Sequence, residues 1–491
     1  MATMTGNRPH RSLPVRLLAV VGAMIVVVVA SQVLAQLRWV VAPARPAPAA
    51  LDPLQPAVGD LDTSALSGSD GGAEAAAAGV GAAGGASGAD AGASDIARIK
   101  ANVEFWSSRV ARNQDDFISS NRWGIAEIEL ARATGDLSAY VRADTAFDTT
   151  LARDPHNAAA LGYKGSVLVS RHRFVDAAAL ARTVLGRQPG DPVALATLGD
   201  ASLELGDLVG AQDAYGRAND VARSAATLVR LGHMAFISGD TAAAIHAATT
   251  AVTLADSEGA EGERSAFYHY QLADVLISTG DRAGAANAYA AALAADSGSF
   301  LAHSGLARMA AAAGNLDEAI RQLSAAIMIV PQPEFLARRG DLYTLRAAQG
   351  DARRAADDYA TVEAIAKLAG DASTVYDRTL ALYLANHGLE PIRAVALADA
   401  ELVTRKDVYG YDADAWALLA ADRATEAEMM IGRALDVGTH DAKVLYHAGM
   451  IAAALGQTDR ARGFLEDSLA LDPSFDPLQV SRARATLATP R

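Results

Sequence analysis

A small residue returns at a nearly fixed interval through most of this chain. Alanine stands at 143, 177, 211, 244, 285, 319, 355, 394, 427 and 461, with spacings of 34, 34, 33, 41, 34, 36, 39, 33 and 34 residues. The segment from Phe300 to Pro331 shows what recurs. Leu301, Leu306, Met309 and Ala310, then Leu316, Ile320, Leu323 and Ile327, fall at three- and four-residue steps on either side of Gly314-Asn315. That pattern is two amphipathic helices joined by a tight turn. Ala307, Ala319 and Ala326 are small where the two helices must cross closely, and Leu323 is the bulky residue that fills the space between them. A chain of such units packs each hairpin on its neighbours and needs no central globular core.

Four residues after the recurring alanine stands Phe147, Tyr215, Tyr289, Leu323, Tyr359, Ile431 or Leu465, with alanine in the other three units. The turn inside the hairpin reads Gly206-Asp207, Gly239-Asp240, Gly280-Asp281, Gly314-Asn315, Gly350-Asp351 or Gly456-Gln457: glycine stops one helix left-handed and the next residue starts the following one. Proline closes several units, at Pro155, Pro189, Pro331 and Pro473. Small, small, large, small and proline at these offsets resemble the tetratricopeptide repeat (TPR). The resemblance covers about residues 96 to 488. It implies an all-α fold, a right-handed TPR-type α-solenoid of about ten helix-turn-helix repeats; composition and the style of the N-terminal export signal suggest a protein of bacterial type.

Composition agrees with an array of this kind. Hydrophobic residues make up 51 % of the chain but aromatics only 5 %, a bias carried by alanine and suited to close helix packing. There is no cysteine, which removes disulfides, thiolate nucleophiles, cysteine zinc sites and lipid-modified cysteine. The net charge of -14 argues against nucleic acid as a partner.

The N-terminal 95 residues are of another character. Residues 1–16 carry Arg8, Arg11 and Arg16, and Leu17 to Leu37 then runs without a charge. At about 1.5 Å per residue this is roughly 31 Å of helix, the thickness of a bilayer's hydrocarbon core. Residues 17–41 read as a transmembrane signal anchor. The other reading is a signal peptide cut after Val33-Leu34-Ala35, which would release the protein. Both place everything beyond residue 40 outside the cytoplasm. Residues 43–94 are rich in Ala, Gly, Ser and Asp and read as a disordered linker. Within them Gly79 to Gly84 spells a dinucleotide fingerprint but lacks the flanking strand and helix that would cradle a pyrophosphate. Ser94-Asp95 would cap a helix, so residues 95–120 form an N-terminal cap, 121–473 the repeat array and 474–491 a C-terminal capping helix and tail that covers the last repeat. Within the array the excess of the 41-residue spacing reads as an acidic edge loop over 256–263, and that of the 39-residue spacing as a second extension over 367–374.

The chain offers little that points to catalysis. Its ten histidines, among them His269, His303, His440 and His447, lack the helical spacing and carboxylate of a zinc set. The pairs Asp115-Asp116 and Asp357-Asp358 are adjacent in sequence and face different sides of a helix, so neither makes an acid/base dyad. There is no nucleophile elbow and no phosphate loop. The expectation is therefore no enzyme activity and no cofactor or metal.

TPR arrays hold extended or helical peptides in the concave groove lined by the first helix of each repeat, and the resemblance transfers that groove to Val193, Asp200, Val229, Phe236, Phe267, Tyr270, Asp274 and Ile277. Residues 191–300 hold 14 acids against five arginines. An acidic, partly apolar groove fits an amphipathic protein or peptide partner carrying Lys or Arg. The leading expectation is a scaffold tethered to the cell membrane by a single pass, N-terminus inside and array outside. The alternatives are an envelope spacer without a ligand and a binder of small molecules.

Overall fold

The computed structural model describes residues 88–368 and 377–489, all within one structural unit. The basic N-terminus, the membrane segment 17–41, the Gly79–Gly84 motif and most of the linker lie outside the described residues. Among those described, no helix is long and apolar enough to cross a membrane.

The described residues form 22 helices and no strand. Helix α1 spans Gly88–Arg112. The first five hairpins are α2 and α3 (Phe117–Thr134, Leu137–Arg153), α4 and α5 (Ala158–Ser170, Phe174–Leu185), α6 and α7 (Pro192–Glu204, Leu208–Val221), α8 and α9 (Ala225–Ile237, Thr241–Ser257), and α10 and α11 (Gly262–Ser278, Arg282–Ala295). The next five are α12 and α13 (Phe300–Ala312, Leu316–Ile329), α14 and α15 (Pro333–Arg346, Asp351–Leu368), α16 and α17 (Asp377–His387, Pro391–Thr404), α18 and α19 (Val408–Ala420, Ala424–Leu435), and α20 and α21 (Ala442–Ala454, Thr458–Leu471). Helix α22 (Pro477–Ala488) ends the array.

The ten recurring alanines are all buried, eight of them completely and Ala355 and Ala461 at 4 % exposure. The large residue four positions on closes the hairpin: Phe147, Tyr215, Tyr289 and Leu465 are fully buried. Its bulk is accommodated by a glycine on a first helix. A Cβ at Gly340 would lie 2.5 Å from the Tyr359 ring, and one at Gly124 2.7 Å from the Phe147 ring. Alanine and glycine thus let the helices approach, and the aromatic ring takes up what space remains.

Each of the ten hairpin turns holds a left-handed residue: a glycine in eight of them, His172 (φ 54°) and Asp422 (φ 60°) in the other two. The seventh and eighth turns hold a second, Ala347 (φ 52°) and Glu390 (φ 39°), and Ala347 is the one that ends the first helix of the seventh hairpin. Asp207, Asp240, Asp281 and Asn315 then cap the second helix, each accepting a hydrogen bond from the backbone N–H three residues on. Asp351 departs from this pattern: it lies inside α15, accepts from the Ala348 N–H and pairs with Arg346 and Arg354.

Two expectations need correction. Helix α1 begins at Gly88, inside the stretch read as linker, so Ser94 and Asp95 lie within a helix instead of capping it. Ala89, Ala91 and Ala93 have the highest helix propensity and lose no side-chain entropy, so they extend a helix that the packing of Ile99 and Val103 has already anchored. The 41-residue spacing is not absorbed by an acidic loop over 256–263. Helices α9 and α10 are each 17 residues long, against 13 or 14 in the neighbouring hairpins, and only 258–261 connects them. The residues read as the second extension, 367–374, fall mostly outside the described residues.

The array coils until it meets itself. The turn at Gly206 in the third hairpin lies against Lys406, at the junction after the eighth, and the Lys406 N–H donates to the Glu204 carbonyl at 2.8 Å. The turn at Gly239 lies against Gly438, after the ninth hairpin, and that at Gly280 against Leu471, at the end of the tenth. The offset is five hairpins each time. Apolar residues of hairpins three and four, Leu203, Tyr215, Met234 and Ile237, share one continuous core with Tyr409, Leu418 and Val444 of hairpins nine and ten. Across this seam Arg405 reaches Glu204; on its own side Arg405 also meets Glu401, and Arg378 meets Glu401 and Asp407, all with side chains no more than 7 % exposed. Burial opposes the charge on Asp407, but Arg378 and Arg405 outweigh it and hold the carboxyl below its ordinary range.

The seam predicts different costs for the same substitution. Gly206, Gly239 and Gly314 all have positive φ, at 84°, 79° and 75°. A Cβ at Gly206 would lie 2.6 Å from the Lys406 carbonyl oxygen and one at Gly239 would collide with that of Gly438, whereas Gly314 faces open space. Gly314→Ala should cost about 1 kcal/mol of backbone strain. Gly206→Ala and Gly239→Ala should each cost about 1–3 kcal/mol more, because the seam must open. Equal losses for all three in urea denaturation would mean that the coils do not touch.

Candidate interaction groove

The concave face is built by the first helices, and the position six residues before each left-handed turn points into it: Asp200 before Gly206, His233 before Gly239, Asp274 before Gly280. Because the array coils, hairpins nine and ten and the segment after them stand opposite this face. The space left between the two walls is a cavity of about 100 Å³. Val229, His233, Phe236, Gln271, Asp274 and Arg308 line one side; Tyr409, Asp441, Asp472 and Phe475 line the other.

The eight residues expected to form the groove divide accordingly. Val229, Phe236 and Asp274 come together at the cavity, Val229 as a largely buried wall. Tyr270 is half-buried, its ring 6.1 Å from that of Tyr289. Val193 is half-buried at the start of α6. Asp200, Phe267 and Ile277 are buried at 3 %, 6 % and 1 % exposure and do not face open space. Phe267 packs with Leu228 and Val252, and Ile277 with Ala273 and Tyr289. Asp200 accepts from Arg230 at 2.7 and 2.9 Å and from the Tyr215 hydroxyl at 2.8 Å.

Asp274 has a different partner from its counterparts. In the third and seventh hairpins the tyrosine of the second helix donates to the groove aspartate, Tyr215 to Asp200 at 2.8 Å and Tyr359 to Asp341 at 2.7 Å. In the fifth the Tyr289 hydroxyl is buried without a partner among the described residues, and Asp274 turns to Arg308 at 3.1 Å. Arg308 in turn reaches Asp472 across the cavity and Ser278 at 3.3 Å. Burial raises the Asp274 carboxyl, the neighbouring Asp472 and Asp441 charges add to this, and Arg308 and Arg338 oppose it. The His233 imidazole and the Gln271 amide line the cavity without a hydrogen bond among the described residues. Burial pushes His233 down to about 4, with Asp407 pulling weakly the other way.

His303 and His447 are tied to protein groups. His303 meets the Gln322 side chain at 2.6 Å, and His447 is fully buried on Asp412 at 2.7 Å and stacked on Trp416. His269 lies 3.8 Å from Asp256, and His440 is exposed beside the Gly239 turn. Among the described residues no group of three His, Asp or Glu could hold a metal ion. Asp116 caps α2 and Asp115 pairs with Arg153 at the surface, while Asp358 is drawn in by Arg339 at 2.7 Å.

Hairpins of alternating first and second helices, anchored on buried alanines, define an all-α repeat solenoid. Tetratricopeptide-repeat family models match residues 128–192 and 270–332, and a second such model matches 442–475. These three stretches, about a third of the chain, are tetratricopeptide repeats. Among solved structures it is similar to a thermophilic TPR protein of Thermus thermophilus, with 21 % identity over 43 % of this chain and 99 % of that one (TM-score 0.33). It is also similar to yeast Tom70, with 15 % identity over 81 % and 94 % (TM-score 0.31), and to IFIT1 solved with Gppp-AAAA, with 14 % identity over 68 % and 75 % (TM-score 0.42). No curated protein matches the chain.

The state of His233 sets a pH dependence. Its folded pKa lies below the ordinary value near 6.5, so between about 6.5 and 4 the unfolded chain binds more protons and stability falls as pH falls. Because the ring keeps some contact with solvent, we expect a loss of about 1–2 kcal/mol by pH 4.5, less than the full shift implies. His233→Gln should remove that part of the decline and leave stability above pH 7 almost unaltered. Denaturation curves for parent and variant that stay parallel from pH 7 to 4.5 would contradict this.

Proposed function

We propose that this protein is a non-catalytic scaffold, tethered to the membrane by residues 17–41 with its array outside the cytoplasm, that grips a protein or peptide partner through its concave face. The observation that carries the reading is the cavity between the two walls of the coil. It joins apolar Val229, Phe236, Tyr409 and Phe475 to three carboxylates, Asp274, Asp441 and Asp472, and three bases, Arg308, Arg338 and Lys443, and two of its polar side chains, His233 and Gln271, have no hydrogen-bond partner among the described residues. Such a lining suits a segment that offers an apolar side chain together with polar groups, and the acidic excess of residues 191–300 favours Lys or Arg among them. Tethering rests on the uncharged run from Leu17 to Leu37 and the arginines before it. Buried Asp200, Phe267 and Ile277 support the array and leave recognition to Phe236, Tyr270 and Asp274.

The test uses the full chain as bait in detergent-solubilised envelope. A stoichiometric partner should be retained by the parent and held at least about ten-fold more weakly by Phe236→Ala, a cost of about 1.4 kcal/mol or more. Retention unaffected by that change would exclude the cavity, and no stoichiometric partner at all would favour an envelope spacer. Tethering is tested separately: protease added outside spheroplasts should remove the array and spare an N-terminal tag.

A further inference from the structure

The groove changes character along the array. Counted back from the turn, the position held by Asp200, His233 and Asp274 in hairpins three to five is held by Leu382, Trp416 and Met450 in hairpins eight to ten. The apolar end of the groove is covered by the chain's own last helix. Val480 and Ala483 of α22 are buried in one cluster with Leu382, Trp416 and Tyr446. Gln479 donates to the Asn386 side chain at 2.6 Å, where Trp416 Nε1 also donates at 2.7 Å. Arg482 donates to the Asn386 carbonyl at 3.0 Å. Just before the helix, the Phe475 ring sits 5.5 Å from that of Tyr446 and also lines the central cavity. A terminal helix expected only to cover the last hairpin thus turns inward, across first helices from the eighth and tenth.

The hold is slight. Only Gln479, Val480 and Ala483 of its 12 residues are buried. Arg482 and Arg484 are exposed. A helix of this length is barely stable when undocked, so releasing it unfolds it and exposes the apolar groove.

We propose that α22 is a displaceable ligand in cis, and that the groove of hairpins eight to ten takes in trans an amphipathic helix of the same chemistry, small apolar residues on one side and arginine beside them. The proposal rests on the scaffold reading for its use by a partner, since it makes α22 the element a partner must displace. The tether gives the cis helix a high effective concentration, so the closed chain binds such a helix weakly and the opened chain binds it well.

The test uses a fluorescent peptide of residues 474–488 and the full chain carrying Val480→Asp with Ala483→Asp, which frees α22 and leaves the groove intact. The opened chain should bind the peptide at least about ten-fold more tightly than the parent, and adding Trp416→Ala should abolish the gain. No difference between parent and opened chain would overturn the proposal, provided their thermal unfolding is alike. Should the opened chain misfold, hydrogen exchange on the parent decides. Amides of α22 should exchange through a local opening while α20 and α21 stay protected, and exchange of all three only together would make α22 an integral part of the fold. Peptide binding without any envelope partner would defeat the scaffold reading alone; a partner lost on Phe236→Ala while α22 stays protected would defeat this proposal alone.

Discussion

Everything distinctive about this molecule follows from how closely its helices approach. Alanine at the recurring position and glycine opposite the large residue remove the side-chain bulk that would hold helices apart. Thin hairpins stacked with a constant small rotation make a tight coil. At an offset of five hairpins Gly206 and Gly239 seat directly on backbone, where no Cβ would fit. The seam then carries a shared apolar core and a buried chain of alternating charges from Glu204 to Asp407. Such a network adds little net energy over apolar residues, but breaking it strands a buried charge, so it fixes the register of the two coils.

The coil explains why charge counting gave an incomplete view of the groove. The acids of residues 191–300 outnumber the arginines there, yet several are neutralised from elsewhere in the chain: Glu204 by Arg405 and Asp274 by Arg308. Arg308 also links Asp274 to Asp472 at the far wall. What is left for recognition is a small mixed cavity instead of a long acidic channel, and an apolar stretch further along that the chain covers itself.

Local features were legible in the sequence because they rest on local chemistry. Ala319 and Leu323 are buried as their spacing required, Gly206 and Gly239 are left-handed as turn residues must be, and Asp207 and Asp281 cap the helices that follow. Other features depend on sums of small terms. The contact of Gly239 with Gly438 arises from accumulated rotations that no single repeat encodes. Phe267 and Ile277 are out of reach of a partner for a nearer reason, since they pack on the adjacent hairpin and on their own. The extra residues near Asp256 lengthened two helices to 17 residues each, which the spacing of the alanines alone does not distinguish from a longer loop. The apolar run Leu382, Trp416 and Met450 was in the sequence throughout. It becomes visible when groove positions are counted back from the left-handed turn, since insertions after the turn, as before Ala394, shift any count made from the alanine.

The self-contact of the coil is the claim on which the rest stands, and a distance measures it. The chain has no cysteine, so spin labels can be placed singly at Asp240→Cys and His440→Cys, both exposed and flanking the Gly239 seam. Pulsed electron resonance should give a narrow distribution below about 25 Å. Five hairpins stacked at about 10 Å without coiling would separate the labels by about 50 Å, and a distribution centred there would show that the two walls do not meet.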